Sequence, residues 1–148
     1  MPVAFLLFPP GMHPATRPAT RPATRVQIAL TIAIGSVWVF HGLYSKILMG
    51  IPRHQEIVAR VLGEAVAEWA TYTIGAMEIL LGLWAFSRWN RKACALVQTM
   101  ALVSMNVLEI ALARDLLISA AGMAVLNLAF LTLVWHWALF PRPWPFSR

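Results

Sequence analysis

Four apolar stretches, residues 26–48, 70–86, 93–113 and 116–140, occupy most of this chain. Each has the length of a segment that crosses a hydrocarbon layer roughly 30 Å thick, at about 1.5 Å rise per residue. Inside such a layer no water satisfies the backbone, so each segment must bond its own N–H and C=O groups as a helix. The expected fold class is all-α: an integral membrane four-helix bundle.

Composition agrees. Of 148 residues, 59% are hydrophobic and 12% charged, against roughly 25% charged in ordinary soluble domains. The net charge of +6 does not indicate a nucleic-acid binder. The basic residues lie between apolar spans and at the termini rather than along one helix face. Cys94 is the single cysteine, so neither an internal disulfide nor a Cys-x-x-Cys redox pair is available. It is expected as a small apolar residue near the start of the third span. The apolar run 4–8 is too short for a secretory leader and meets Pro9 and Pro10 at once, so the N-terminus is expected to be retained.

Residues 1–25 read as a flexible cationic arm, with Pro-Ala-Thr-Arg three times over in 14–25. Proline at every fourth position forbids a helix. Arg17, Arg21 and Arg25 could meet anionic headgroups, and a repeat that merely adds positive charge explains them as well. Residues 26–140 form the four-span domain, and 141–148 a short proline-rich tail. Between the first two spans, residues 52–69 carry apolar side chains at helical spacing on one face. Glu56, Arg60 and Glu64 fall four apart on the polar face. This stretch is expected to be an amphipathic helix at the membrane surface, or else a tilted extension of the second span.

Lys and Arg distribution sets the expected orientation. Arg17, Arg21, Arg25, Arg88, Arg91, Lys92, Arg142 and Arg148 share one side, and Arg53, Arg60 and Arg114 the other. Both termini are therefore expected in the cytoplasm. An inner belt of Trp84, Trp89, Trp135, Trp137 and Trp144, with Trp69 at the outer interface, fits the same arrangement.

Counting along each helix brings six polar residues to one half of the bilayer. His41 lies roughly 22 Å in from the cytoplasmic side and Lys46 roughly 30 Å; Asn106 and Glu109 lie at roughly 20 and 24 Å. Glu78 and Asn127 lie roughly 12 and 14–17 Å below the outer face. Ionised groups at such depths are costly, so Glu78 and Glu109 must face the bundle and find partners. Lys46 is a cation for one of them, although it is near enough to the boundary to snorkel. Asn106 and Asn127 suit interhelical hydrogen bonding. His41 suits a proton carrier, a ligand donor or a satisfied core histidine. Gly75 and Gly82 flank Glu78 and permit close helix approach. A bis-histidine haem is not supported, because His41 and His136 differ too much in depth. Nor is a carboxylate-bridged metal site, which wants a Glu-x-x-His pair. No phosphate loop, nucleophile elbow or zinc motif is present, so the chain is not expected to be an enzyme on its own.

Phe40-His41-Gly42-Leu43-Tyr44-Ser45-Lys46, Pro52-Arg53-His54, the segment from Gly75 to Trp84, Asn106-Val107-Leu108-Glu109 and Asn127 together resemble the DoxX-like family of small four-helix membrane proteins. The resemblance covers roughly residues 29–139. It implies a bacterial cell (inner) membrane protein, with His41, Lys46, Glu78, Asn106, Glu109 and Asn127 as pattern residues. The founding members are similar to subunits of a quinone-linked sulfur oxidoreductase, and related sequences stand beside or are fused to NAD(P)-binding epimerase-like domains. The chain is thus expected to be an accessory or quinone-interacting subunit of a membrane redox system, with membrane lipids and a redox partner subunit or a second copy as its partners. An oligomeric solute or proton carrier and a non-catalytic scaffold are the competing functions, because buried ionisable groups serve each.

Overall fold

The computed structural model of the chain describes residues 25–139. The arm before Arg25, Phe140 and the tail at 141–148 lie outside the described residues, and with them Arg17, Arg21, Arg142, Trp144 and Arg148. The described residues form α1 (Arg25–Phe40), which runs directly into a π-helical segment (His41–Ile47). Then follow α2 (Arg53–Leu62), α3 (Glu64–Ser87), α4 (Arg91–Leu112), a 3₁₀ turn (Arg114–Leu116) and α5 (Ala120–Leu139). No strand occurs among them. Four helical stretches, Arg25–Ile47, Glu64–Ser87, Arg91–Leu112 and Ala120–Leu139, are long and apolar enough to cross a membrane. The fold is an all-α bundle in which α1 packs on α3, α4 on α5, and α2 lies across one end against α3 and α4.

The amphipathic stretch divides into two parts. Gly63 has φ +96°, a backbone setting L side chains rarely adopt, and it ends α2 there. Residues 64–69 belong to α3, so the second span begins six residues earlier than hydropathy suggests. The break also removes Glu64 from the polar face of α2. Arg60 pairs instead with Asp115 beyond α4, at 3.1 Å, which ties α2 to the α4–α5 connection. The fourth span begins later than expected. Ser119 Oγ accepts from the Gly122 N–H at 3.0 Å and caps α5, which leaves Leu116, Leu117 and Ile118 in the connection. At the opposite end, Arg88 and Asn90 both take positive φ in the tight turn between α3 and α4.

Glycines on both sides bring the backbone of the first span against α3. A Cβ on Gly75 would lie 2.9 Å from the Gly42 carbonyl oxygen, and one on Gly82 2.7 Å from that of Gly35. Gly35 and Gly42, like Gly75 and Gly82, are two helical turns apart, so the two backbones touch at two levels. Small residues permit such approach in membrane helices, where dispersion contacts do much of the work of association.

The packed core lies at the end away from α2. Ile34, Trp38, Ala85, Cys94, Ala95, Val134, Trp137 and Ala138 are buried together there. Cys94 is one of this set, and its sulfur accepts from Gln98 Nε2 at 3.0 Å. Trp137 departs from the interfacial belt expected of it. It is 0% exposed; its indole N–H donates to Thr31 Oγ1 at 2.9 Å, and its ring lies under the Arg91 guanidinium. An indole whose N–H finds a partner inside the bundle has no need of the wet interface. Trp69 and Trp89, at 76% and 71% exposed, do face outward.

Gly75→Ala should separate α3 from the π segment, because the new methyl meets backbone and the Lys46 stem rather than a movable side-chain tip. The expected cost is about 1–3 kcal/mol, read as a lowered unfolding midpoint of the purified protein in detergent.

Candidate functional site

The α2 end of the bundle is hollow. A cavity of about 670 Å³ opens there between the first span, α4 and α5, under α2. All six polar residues singled out from the sequence line it. The π segment contributes His41 and Lys46, α3 contributes Glu78, α4 contributes Asn106 and Glu109, and α5 contributes Asn127. Trp38 and Phe130, edge to face at 6.2 Å, bound it toward the packed core.

The π segment governs how the first span presents its motif. Its wider turn is closed by the Leu48 N–H donating to the Leu43 carbonyl at 2.8 Å, five residues back. Helical departures of this kind frequently mark functional sites. Lys46 leaves this segment inward, and its Nζ donates to both oxygens of Glu78 at 2.8 Å. Lys46 is 3% exposed and Glu78 4%. Lys46 therefore does not snorkel. The glycine contacts hold the two backbones close enough for the ammonium to reach the carboxylate within the bundle.

Asn127 Nδ2 donates to Asn106 Oδ1 at 2.6 Å and links α5 to α4. Glu109 lies three residues after Asn106 and thus on the same helix face. It stands within electrostatic range of Lys46 and Glu78, yet makes no side-chain hydrogen bond among the described residues. His41 also makes none; its ring meets Phe40 and His54 edge-on, at 5.9 and 6.2 Å. Among these six residues there are thus two satisfied polar pairs and two ionisable groups with bonding capacity to spare. His136, in the last turn of α5, sits at the far end of the bundle from His41.

His54, which the sequence reading left outside the polar group, lines the cavity from α2. Its spacing was a usable signal, since it lies three and four residues before Ile57 and Val58 and shares their inward face. Burial holds its imidazole down to about 4, with the charges of Lys46, His41 and Arg53 acting in the same direction. It is therefore neutral near pH 7, with one donor and one acceptor nitrogen. Its Nδ1 is buried without a hydrogen-bond partner among the described residues, as is Ser45 Oγ beside Lys46. Sequence reading also missed the polar ties of the packed end. There Trp38 Nε1 donates to Gln98 Oε1 at 2.7 Å, and Arg91 to the Trp137 carbonyl at 2.9 Å.

Removing one partner of a buried pair strands the other charge. Lys46→Met should cost about 3–5 kcal/mol, whereas Lys46→Met combined with Glu78→Leu should lie closer to the parent in thermal unfolding. Acid should also weaken the α2 roof. The unfolded His54 titrates near 6.5 and the folded one near 4, so the unfolded state binds more protons between these values. The contribution of His54 to stability is complete above about pH 6.5 and falls as pH drops toward about 4. His54→Gln should lessen the loss of stability between about pH 7 and about pH 5, as unfolding midpoints would show.

No curated protein and no solved structure shows a significant match to the chain. Residues 35–135, more than half of its length, match the DoxX-like family. That stretch contains every one of the six polar cavity residues, the π segment and α2. With four helices able to span a bilayer, the chain is a multi-pass membrane protein, and it belongs to the DoxX-like family.

Proposed function

We propose that the cavity receives the head group of a membrane quinone and that the chain acts as a quinone-interacting accessory subunit of a membrane redox system. One observation carries this reading: His41 and Glu109, neither with a side-chain hydrogen bond among the described residues, line the same cavity. Much of the remaining lining is apolar, with Trp38, Leu102, Met105 and Phe130 among it. A flat ring with two carbonyl oxygens needs an apolar slot and a few well-placed polar groups. A quinone, when bound, supplies two-electron, two-proton carrier chemistry. The residues of this chain would orient it and handle protons. His41 would offer a ring N–H to a carbonyl oxygen, and the Glu109 carboxyl would take up or give a proton at the cavity wall. Electrons would come from a redox partner subunit.

Family membership supports the reading through the resemblance of founding members to quinone-linked subunits. The basic turn at Arg88, Arg91 and Lys92 favours the cytoplasmic side for the end opposite α2. It therefore supports a bacterial inner membrane topology with the cavity toward the periplasm.

A second reading has its own observation. Lys46–Glu78 and Asn106–Asn127 satisfy each other, as interhelical bonds in a plain scaffold would. The two readings part at the ungrouped residues. Titrating the purified protein with a short-chain quinone should quench the fluorescence of Trp38, and organic extraction should release quinone from the membrane-derived preparation. His41→Ala and Glu109→Gln should each weaken binding by about tenfold, the scale of one hydrogen bond to an ionisable group. A preparation with no extractable quinone and no quenching at saturating ligand would leave the scaffold reading standing.

A further inference from the structure

We infer that the seam between α3 and α4 is a groove for the hydrocarbon tail of the ligand whose head occupies the cavity. This rests on the quinone reading above and adds to it a second subsite and a lateral route. The groove has a volume of about 390 Å³ and shares Trp38, Glu78 and Met105 with the cavity. A head group beside Glu78 therefore has a continuous apolar exit. On α3 the lining extends from Ile74 to Trp84, about 15 Å along the helix at about 1.5 Å per residue. The groove thus descends from the level of the ion pair toward the end opposite α2, along the direction in which a lipid-soluble tail lies.

Its chemistry suits a tail and little else. Ala101 and Ser104 keep the α4 wall low. The Ser104 hydroxyl donates to the Met100 and Ala101 carbonyls of its own helix, at 2.8 and 3.0 Å. The Trp84 indole N–H is bound to the Trp89 carbonyl at 2.9 Å. At the shared end, the Glu78 carboxylate is neutralised by Lys46. No side-chain N–H or O–H donor is thus left free along the groove. The seam on the other side of α3 is shut by the glycine contacts with the first span, which leaves the α3–α4 side as the lateral opening beside Glu78.

The test uses the full chain in detergent and two probes with one ring: a tail-less benzoquinone and the same ring with a decyl or isoprenoid tail. Ala101→Leu and, separately, Ser104→Leu raise the low wall. Each should weaken the tailed probe by about tenfold, a loss equivalent to withdrawing a few methylenes from contact. The tail-less ring should keep its affinity to within about twofold, which also reports that the cavity is intact. Equal loss for both probes, or no loss for either, would overturn the groove while leaving the cavity reading in place. So would a tailed probe that binds the parent protein no better than the bare ring, the result expected if bilayer acyl chains simply cover the seam. If neither probe binds the parent protein, the quinone reading fails and the groove fails with it.

Discussion

The Lys46–Glu78 ion pair is the interaction around which the α2 end is organised. Two charges with almost no exposure are tolerable within an apolar bundle only in mutual contact. That contact requires the first span to deliver an ammonium sideways into the bundle at the height of Glu78. The glycine pairs provide the closeness and the π segment provides the direction. With the pair in place, the neighbouring space holds polar groups without carrying an uncompensated charge at its centre. Asn106, Glu109 and Asn127 can then line a cavity that would otherwise have to be filled with leucines.

The two ends of the bundle answer different physical demands. Away from α2 the helices interlock around Ile34, Val134 and Trp137, and each indole there finds a hydrogen-bond acceptor inside the protein. Toward α2 the first span stays against α3, but a cavity opens between these helices, α4 and α5, and a separate short helix covers it. That helix is held at one end by the left-handed break at Gly63 and along its length by Ile57 and Val58 against the bundle. The Arg60–Asp115 pair is well exposed and so adds little energy of its own. Its value is positional, because it connects the roof to the connection that carries Leu117 and Ile118 on the cavity wall.

Much of this was legible in the residues, and the exceptions are instructive. Hydropathy located four spans because the bilayer penalty is large and local. Depth counting brought His41, Lys46, Glu78, Asn106, Glu109 and Asn127 to one level because helical rise is nearly constant. The same counting does not reveal which polar groups satisfy one another. Lys46 could reach either water or Glu78, and backbone separation decided between them. Hydropathy starts the second span late because Glu64 and Glu68 lower it in residues that are nonetheless helical; residues 64–69 follow the alternative of an extended second span, and the positive φ of Gly63 marks where it begins. Position along the fourth span suggests an interface for Trp137, although Thr31, distant in sequence, supplies its acceptor. His54 was hidden by its position in a stretch read for its greasy face rather than for what shares that face.

A π turn has one more residue in its hydrogen-bonded loop than an α turn, and here that surplus falls within the motif that bears His41 and Lys46. Angular phase along the first span is therefore sensitive to chain length in a way that composition does not reveal. Loss of a single residue between His41 and Ile47 would rotate everything after it by about 100° around the helix axis, carrying the ammonium away from its carboxylate. Homologous spans should accordingly drift freely in which apolar residues they use, but hardly at all in how many residues separate the histidine from the lysine.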